Sequence, residues 1–399
     1  MSEWIRIEEL SSIFSVVNDK RKQLKTSCYY ASGKYPIIDQ SSDFICGYSD
    51  REDVLFSSPL PIIVFGDHTR WVKYVDFPFI AGADGTQILK ASDWIDSKFL
   101  FYVVQKASQD IGNFGYDRHL KHLKRYPTSV PAKLSEQRKI ADILSTVDDV
   151  IEMTEAAIEK YKAMKDGMMQ DLFTRGIDTK TGKLRPTIEE APELYKESEF
   201  GWIPKGWDAT EFKDACLEYI NGGTPSTKNA SNWVGNIPWI TGADFLESFE
   251  VGFIRRHINE DALRYSSSHL IREGNILLVT RTGVGKLAIA PFDVAISQDI
   301  TGIILDPSQY CVEFFYYYLQ ILVEDFKKMN QGTSINGIIR SDLEATLILK
   351  PSLDEQKQIA AVLNAFDENL KNEQSNLNKY RDLKRGLMAD LLTGKVRIK

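Results

Sequence analysis

The sequence predicts an α+β protein in which two variable segments alternate with two copies of one long helix. The segment Leu134–Thr174 recurs without a gap as Leu353–Thr393, at a constant offset of 219 residues. Each copy follows a segment that contains short apolar runs typical of strands and one aromatic-rich helical stretch. This alternation indicates two compact α+β domains and a separate helical connector. The repeat period is too long for a solenoid.

The repeated segments predict two coiled-coil helices. Their seam positions recur at alternating steps of four and three residues, which is the period of a coiled coil. The residues predicted to form the helix–helix and partner interface are Ile140, Leu144, Ile151, Ile158, Tyr161, Met168, Leu172, Ile359, Leu363, Leu370, Leu377, Tyr380, Leu387 and Leu391. Lys165 and Lys384 are equivalent polar seam positions, which fix register at some cost in stability. The alternative, two ordinary amphipathic core helices, is disfavoured because both copies keep one register.

The chain divides into five segments. These are a first domain at 1–130, a first helical repeat at 131–176, a linker at 177–206, a second domain at 207–348 and a second helical repeat at 349–399.

The second domain is a distant copy of the first. Gly82–Gln105 aligns with Ser297–Gln320 at an offset of 215 residues, and strands are predicted at 62–65, 276–279 and 303–305. The aromatic cluster at 314–318 has two interpretations, a buried helix face, which we favour, and a base-stacking surface.

Composition limits the function classes. The net charge of −7 argues against a simple nucleic-acid binder, yet basic runs at 118–125, 255–257 and 281–286 lie inside the variable segments, where the local field matters more than the total. The four cysteines form no C-x-x-C pair, which predicts reduced thiols and no metal site. A polar, acidic N-terminus and the lack of a long apolar run predict no signal peptide, no membrane span and a cytoplasmic location.

Fragments that resemble catalytic motifs fail on inspection. The stretch 281–287 looks like a phosphate loop, but Thr280 stands in place of the first glycine and Leu287 in place of the Ser or Thr that holds Mg²⁺. The stretch 236–239 resembles the base-flipping tetrapeptide of adenine methyltransferases, with Ile237 in place of its first proline. We therefore expect no enzyme activity, no metal and no cofactor on this chain.

Both helices open with L-x-E-Q-x-x-I-A, at Leu134 and Leu353, and close with M-x-D-L-[FL]-T, at Met169 and Met388. These repeated motifs, and their order along the whole chain, resemble those of the DNA-specificity subunits of type I restriction–modification systems. The linker FGWIPKGW at 200–207 resembles the family's connection to its second target-recognition domain. Four stretches of this chain resemble common motifs of the family's target-recognition domains. They are KYPII at 34–38, FGDHTR at 65–70, NGGTPSTK at 221–228 and NIPWI at 236–240.

The resemblance implies two target-recognition domains joined by two long antiparallel coiled-coil helices, in a pseudo-twofold and nearly circular arrangement. It implies a non-catalytic subunit that reads a split double-stranded DNA target, with one domain for each half. Two methyltransferase subunits and the restriction subunits would bind to it. The alternative is a coiled-coil scaffold whose domains bind proteins rather than DNA, which the net acidity favours.

Residues that contact DNA are nominated by side-chain chemistry, because arginine, histidine and hydroxyl side chains reach base edges and lysines reach phosphates. The predicted base readers are Arg70, Arg118 and His119 in the first domain and Thr224, Ser226, Arg281 and Thr282 in the second. The predicted phosphate contacts are Lys34, Lys121, Lys228 and Lys286. For the loop 281–286, a purely structural turn is the competing interpretation.

Overall fold

The structure is a computed structural model that describes residues 3–83, 85–112, 117–246, 249–282, 284–330, 338 and 340–398, without the side chains of residues 325–330. The chain forms two compact units, residues 1–158 with 373–399 and residues 159–372. The unit boundaries fall inside both long helices, so each unit contains one variable domain and a part of each helix.

The first domain has a run of short strands, then two helices and a last strand before it enters the first long helix. In chain order the elements are β1 (Trp4–Ile7), β2 (Phe14–Val16), β3 (Tyr35–Ile38), β4 (Gly47–Ser49), β5 (Leu55–Phe56), β6 (Ile62–Gly66), β7 (Val72–Val75), β8 (Phe79–Ala81), β9 (Thr86–Ala91), α1 (Ser97–Asp110), α2 (Leu120–Lys124), β10 (Thr128–Pro131) and α3 (Leu134–Thr174).

The segment between the first long helix and the second domain forms two hairpins. They are β11 (Ile177–Asp178) with β12 (Lys183–Leu184), and β13 (Tyr195–Ser198) with β14 (Gly201–Pro204). Glu355 ties this segment to the start of the second long helix, because its carboxylate accepts the backbone N–H of Ile177 (2.9 Å) and the guanidinium of Arg185.

The second domain has the same kinds of elements in the same order, with additional short helices. They are β15 (Asp208–Glu211), α4 (Phe212–Ala215), β16 (Cys216–Asn221), β17 (Ile237–Ile240), β18 (Arg256–Ile258), α5 (Glu260–Arg264), β19 (His269–Ile271), β20 (Ile276–Val279), β21 (Leu287–Ile289), β22 (Val294–Ile296), β23 (Ile300–Leu305), α6 (Val312–Asn330), α7 (Arg340–Ala345), β24 (Leu347–Lys350) and α8 (Leu353–Leu391).

Both domains contain the same two four-stranded sheets. One sheet is antiparallel, in the order β2-β9-β6-β7 in the first domain and β16-β23-β20-β21 in the second. The other is mixed, in the order β4-β3-β8-β5 and β18-β17-β22-β19, and its central pair is parallel in both domains. This shared topology confirms that the variable segments are distant copies of one domain.

Within the first unit, the parts of the two long helices lie side by side in opposite directions. In the first unit Lys384 of α8 pairs with Asp148 of α3 (2.6 Å), and Arg381 pairs with Glu155 (2.6 Å). None of the predicted seam residues is exposed, and all of them lie in the described part of the chain. This burial is what the heptad pattern predicts for seam residues, and their role as a partner interface stays a prediction.

The outer ends of the seam belong to the domain cores. Ile140 and Leu144 pack with Leu391 into the core of the first domain. In the second unit, Leu172 packs with Ile359 and Leu363 among the core residues of the second domain. The disfavoured alternative of core helices thus describes these ends correctly, because each helix starts and finishes inside a globular core.

A partly buried polar cluster joins the long helices to each domain. In the second unit Lys165 pairs with Asp367 Oδ1 (2.5 Å), and the hydroxyl of Tyr317 donates to Asp367 Oδ2 (2.7 Å). Burial and the neighbouring carboxylate raise the pKa of Tyr317, so its hydroxyl stays protonated and donates.

The first unit contains the equivalent cluster. Lys384 pairs with Asp148, which also accepts the hydroxyl of Tyr102 (2.7 Å). The polar seam lysines therefore join three helices in each unit, α3, α8 and the aromatic-rich helix α1 or α6.

A buried glutamine near the start of each long helix holds the chain that leads into it. Gln356 accepts the backbone N–H of Cys311 (2.8 Å) and donates to Pro351 O (2.9 Å). Gln137 makes the equivalent bonds, to the N–H of Asp96 (2.7 Å) and to Pro131 O (2.9 Å). Because both glutamines are fully buried, these bonds fix the angle at which each domain meets its helix.

The aromatic cluster at 314–318 is part of the core. Phe314, Phe315, Tyr317 and Tyr318 are buried in α6, which confirms the favoured interpretation over base stacking. Within the described residues, no helix is both long and apolar enough to cross a membrane.

Candidate nucleic-acid interface

Strand register brings four connections of the second domain to one end of its sheets. The parallel strands β17 and β22 end side by side at Ile240 and Ile296. The end of β20, Val279, and the end of β16, Asn221, both lie beside the start of β23. The loops that begin at residues 222, 241, 280 and 297 therefore meet, and they contain most residues nominated in this domain.

The three-residue turn between β22 and β23 lies at the centre of this cluster. Thr280 donates its N–H to Asp299 O (2.8 Å), and the hydroxyl of Thr282 donates to the Asp299 carboxylate (3.3 Å). On the other side, the hydroxyl of Thr224 donates to the side-chain oxygen of Gln298. Thr224 and Thr282, which are 58 residues apart in the chain, thus contact the same turn.

Gly222 allows this close approach. A Cβ atom there would collide with the carbonyl groups of Ile296 and Ser297, which are backbone atoms that cannot turn away. Only glycine lets the loop lie against the turn. The Gly-Gly-Thr motif therefore has a structural reason in this fold.

The other nominated residues of the second domain lie around this centre. Arg281 is exposed on the β20–β21 loop, and Lys286 is half-buried with its ammonium group donating to Phe245 O (3.2 Å). Ser226 and Lys228 are exposed further along the 222–228 loop. The structure thus brings the loops of Thr224, Arg281, Thr282 and Lys286 together.

The basic run at 255–257 is largely committed to the fold. Arg255 pairs with the buried carboxylate of Asp244 (2.5 Å), which also accepts the N–H of Thr241 (2.8 Å). Burial alone would raise the pKa of Asp244, but the hydrogen bonds from Arg255 and Thr241 hold it below its usual value. The pair closes the loop after β17, and Arg256 lies over the Trp233 ring at 5.6 Å.

The first domain has the same convergence of strand ends. The turn after β6 contains Asp67, a buried residue whose carboxylate accepts the N–H of Leu120 (2.7 Å). Asp67 also donates its own N–H to Gly85 O (2.7 Å). Asp67 therefore brings the basic segment 117–121 to the loop cluster.

His119 is not a base reader in this structure. Its side chain is fully buried, and Nδ1 lies 2.9 Å from Asp67 O. Its backbone N–H also donates to Asp67 O (2.8 Å). The prediction is corrected because this histidine anchors the basic segment from beneath instead of facing solvent.

Arg118 and Lys121 remain at the surface of this segment. Both side chains are exposed, and Lys121 also pairs with Asp117 (2.5 Å). Hydrogen bonds from Lys121 and His122 lower the pKa of Asp117 to about 2. Asp117 therefore stays charged and holds the Lys121 ammonium group near the loop.

Arg70 and Lys34 differ from their predicted positions. Arg70 adopts a positive φ of 65° in the turn after β6, and its guanidinium donates to Gly112 O (2.7 Å), so it closes the end of α1. Lys34 precedes β3 and lies at the opposite end of that strand from the loop cluster, paired with Glu52 (3.4 Å). The five nominated residues of the first domain do not form one patch.

Sequence reasoning missed the residues that organise both clusters. Gln40 accepts the N–H of His68 (3.2 Å) and holds the turn after β6, while Gln298 and Asp299 hold the corresponding loops in the second domain. The only sequence signal was the aligned region that starts at Gly82 and Ser297. It marks the turns after β8 and β22 but does not show what they do. Among the described residues, no group of acidic, histidine and cysteine side chains could hold a metal ion.

Comparison with known proteins identifies the family. The family model for the type I restriction modification DNA specificity domain matches residues 1–162 and 204–379. The EcoR124I/EcoR124II specificity subunit of Escherichia coli is 23% identical over 96% of this chain and 93% of its own length.

A putative MjaX specificity subunit of Methanocaldococcus jannaschii is 30% identical over 70% of this chain, and the MjaIX specificity subunit of the same organism is 36% identical over 45%. These matches span only 61% and 42% of the two archaeal relatives.

Solved structures agree on the fold. The S subunit of a type I restriction-modification system from M. genitalium superposes with a TM-score of 0.65 at 15% identity, covering 98% of this chain and 96% of its own. A chain from a type I R-M assembly superposes with a TM-score of 0.57 at 16% identity, covering 98% of both chains. With the family model matched over most of its length, the chain belongs to the type I restriction–modification DNA-specificity family.

Proposed function

We propose that this chain is the DNA reader of a type I restriction–modification enzyme and that it recognises a split target, with one half bound by each domain. The observation that carries the proposal is the repetition of one sheet topology with different loop residues at the same end. A conserved frame with unlike loops is what a molecule needs to read two different half-sites. Loops on a rigid scaffold are where recognition residues concentrate in proteins.

The long helices supply the spacing in this proposal. The first helix has 41 residues, which corresponds to a length of about 60 Å at roughly 1.5 Å per residue. We propose that the antiparallel pair relates the two domains by a pseudo-twofold axis and sets the number of unread base pairs between the half-sites. Two-headed readers bind half-sites that lie about one helical turn apart or multiples of it.

The helices are also the proposed docking surface for two methyltransferase subunits, which the restriction subunits would join. Apolar side chains stand exposed on both helices, including Met153 (72% exposed), Met164 (46%) and Leu383 (50%). In this proposal the partner covers these side chains when it binds. Because the chain has a net charge of −7, much of the positive charge around DNA would come from those partners.

A reconstituted complex with its methyltransferase partners tests the proposal. It should bind duplex DNA with strong salt dependence and should methylate a sequence made of two specified parts around an unspecified spacer. A protein-binding scaffold, the competing function, would show no salt-dependent retention on duplex DNA and would leave no split motif in the genome.

A further inference from the structure

The most informative unassigned side chain in the second domain is Gln298. It is exposed at the tip of the turn between β22 and β23, whereas Ser297 before it is buried. Thr224 lies on one side of it, and Thr282 contacts the adjoining Asp299. An amide side chain is thus at the centre of the loops that the proposed function assigns to DNA.

The backbone that carries Gln298 is held from every neighbouring loop. Ser297 donates its N–H to Ile240 O (3.0 Å), and Asp299 donates its N–H to the hydroxyl of Ser297 (3.3 Å). Gly223 donates to Ile296 O (3.0 Å), and the indole of Trp239 donates to Gly223 O (3.2 Å). A side chain on such a support loses little further freedom when it binds a partner.

Thr224 also orients the Gln298 amide itself. Its hydroxyl donates to Oε1 and uses one of the two lone pairs of that oxygen, which leaves the other lone pair and both Nε2 hydrogens for a ligand. One acceptor and one donor side by side match the edge of adenine in the major groove, where N6 donates and N7 accepts.

The charges around Gln298 favour a base contact at the centre of the loop cluster and backbone contacts on the loops around it. The Asp299 carboxylate next to it repels phosphate, so the centre of the cluster is suited to base edges. Lys228 is exposed on the loop that also carries Thr224, where a cation can attract the DNA backbone.

We propose that Gln298 reads an adenine in the half-site bound by the second domain and that Thr224 positions its amide for this contact. The inference rests on the proposed function, because it names the residue through which that domain discriminates one base pair. Gln298 is the specificity residue, and Thr224 acts through it.

The test is the methylated motif produced by the full complex with Gln298→Ala, read by sequencing modified genomic DNA. One adenine of the second half-site should become degenerate, with discrimination at that position reduced by roughly 10- to 100-fold. The first half-site should be unchanged. Gln298→Glu should move the preference at the same position toward cytosine, whose N4 group donates to a carboxylate. Thr224→Val should loosen that position several-fold, and Thr224→Ser should restore it.

Gln309→Ala is the matched control, since this exposed glutamine follows the other end of β23 and should leave the motif unchanged. If Gln298→Ala methylates the wild-type motif with full discrimination, the inference is wrong while the split motif itself still supports the proposed function. If wild-type protein yields no split motif, the proposed function fails first.

If Gln298→Ala abolishes methylation, the affinity of the variant complex for cognate and for random duplex is measured instead. A loss on cognate DNA alone supports the inference, and an equal loss on both overturns it.

Discussion

The tyrosine that joins α6 to the long helices gives the sharpest stability prediction. Tyr317 is 1% exposed, and its hydroxyl lies 2.7 Å from both Asp367 Oδ2 and Asn364 Oδ1. Tyr317→Phe removes one oxygen and keeps the ring in the core. Tyr102→Phe is the matched change in the first unit, where the hydroxyl donates only to Asp148.

The expected loss of stability in Tyr317→Phe comes from the carboxylate that loses a hydrogen-bond donor. Asp367 keeps its pairing with Lys165 but loses its other donor, and a hydrogen bond to a charged group contributes about 1.5–3 kcal/mol. The Asp367 side chain is 37% exposed, so water replaces part of the bond. We expect a loss of about 2 kcal/mol in local stability, which corresponds to roughly 30-fold faster opening of the cluster.

Hydrogen–deuterium exchange in the assembled complex measures this locally. Tyr317→Phe should speed exchange in 312–324 and 359–370 and leave 97–110 unchanged, whereas Tyr102→Phe should do the reverse. Tyr265→Phe is the control, because that ring is 80% exposed and loses only a solvated hydroxyl. Unchanged exchange in Tyr317→Phe, or equal acceleration in both units, would refute the idea that each cluster fastens its own domain to the helices.

Three further predictions concern spacing, DNA contact and pH. A seven-residue insertion after Tyr161 should lengthen the helix by about 10 Å and the unread spacer by about three base pairs; an active complex with the original spacer would show that the helices do not set the distance. Arg281→Ala should weaken binding to cognate DNA by about 1–3 kcal/mol more than binding to random duplex. Lys286→Ala should weaken both alike and reduce the slope of log affinity against log salt concentration by about one. Binding titrations at several salt concentrations separate the two, and equal losses for Arg281→Ala would make Arg281 a backbone contact. Burial raises the pKa of Tyr318 to about 12, so the folded chain keeps a proton that the unfolded chain loses above about pH 10. The contribution of Tyr318 to the free energy of unfolding should therefore fall as the pH rises from about 10 to 12, which denaturant titrations measure. Tyr318→Phe should remove that part of the decline.

The sequence predicted what is periodic or repeated. The heptads of α3 and α8 selected side chains of which none is exposed in the structure, because a period is recorded by many side chains at once. The strands at 62–65 and 276–279 were likewise predicted from continuous apolar runs. What periodicity could not show is that the seam ends are absorbed into domain cores, since Leu172 and Ile359 look like any other seam residues.

The site was predicted less well, because each loop residue is specified only by tertiary contacts. His119 and Arg70 have the chemistry of base readers, yet His119 is buried against Asp67 and Arg70 closes α1. The alignment that begins at Ser297 marks the turn that contains Gln298 but not the role of Gln298, since the neighbours of this three-residue turn come from loops distant in sequence. Composition identifies candidate side chains, but only the fold decides which of them face outward.

The most direct test of the account exchanges one domain and leaves the helices in place. Residues 1–130 are replaced by the first domain of another member of the family that has a different target, and the methylated motif of the resulting complex is sequenced. The account predicts that one half of the motif changes to that of the donor, while the other half and the spacer length stay the same. A motif changed in both halves, or in neither, would contradict the claim that each domain reads its own half-site on a shared helical frame.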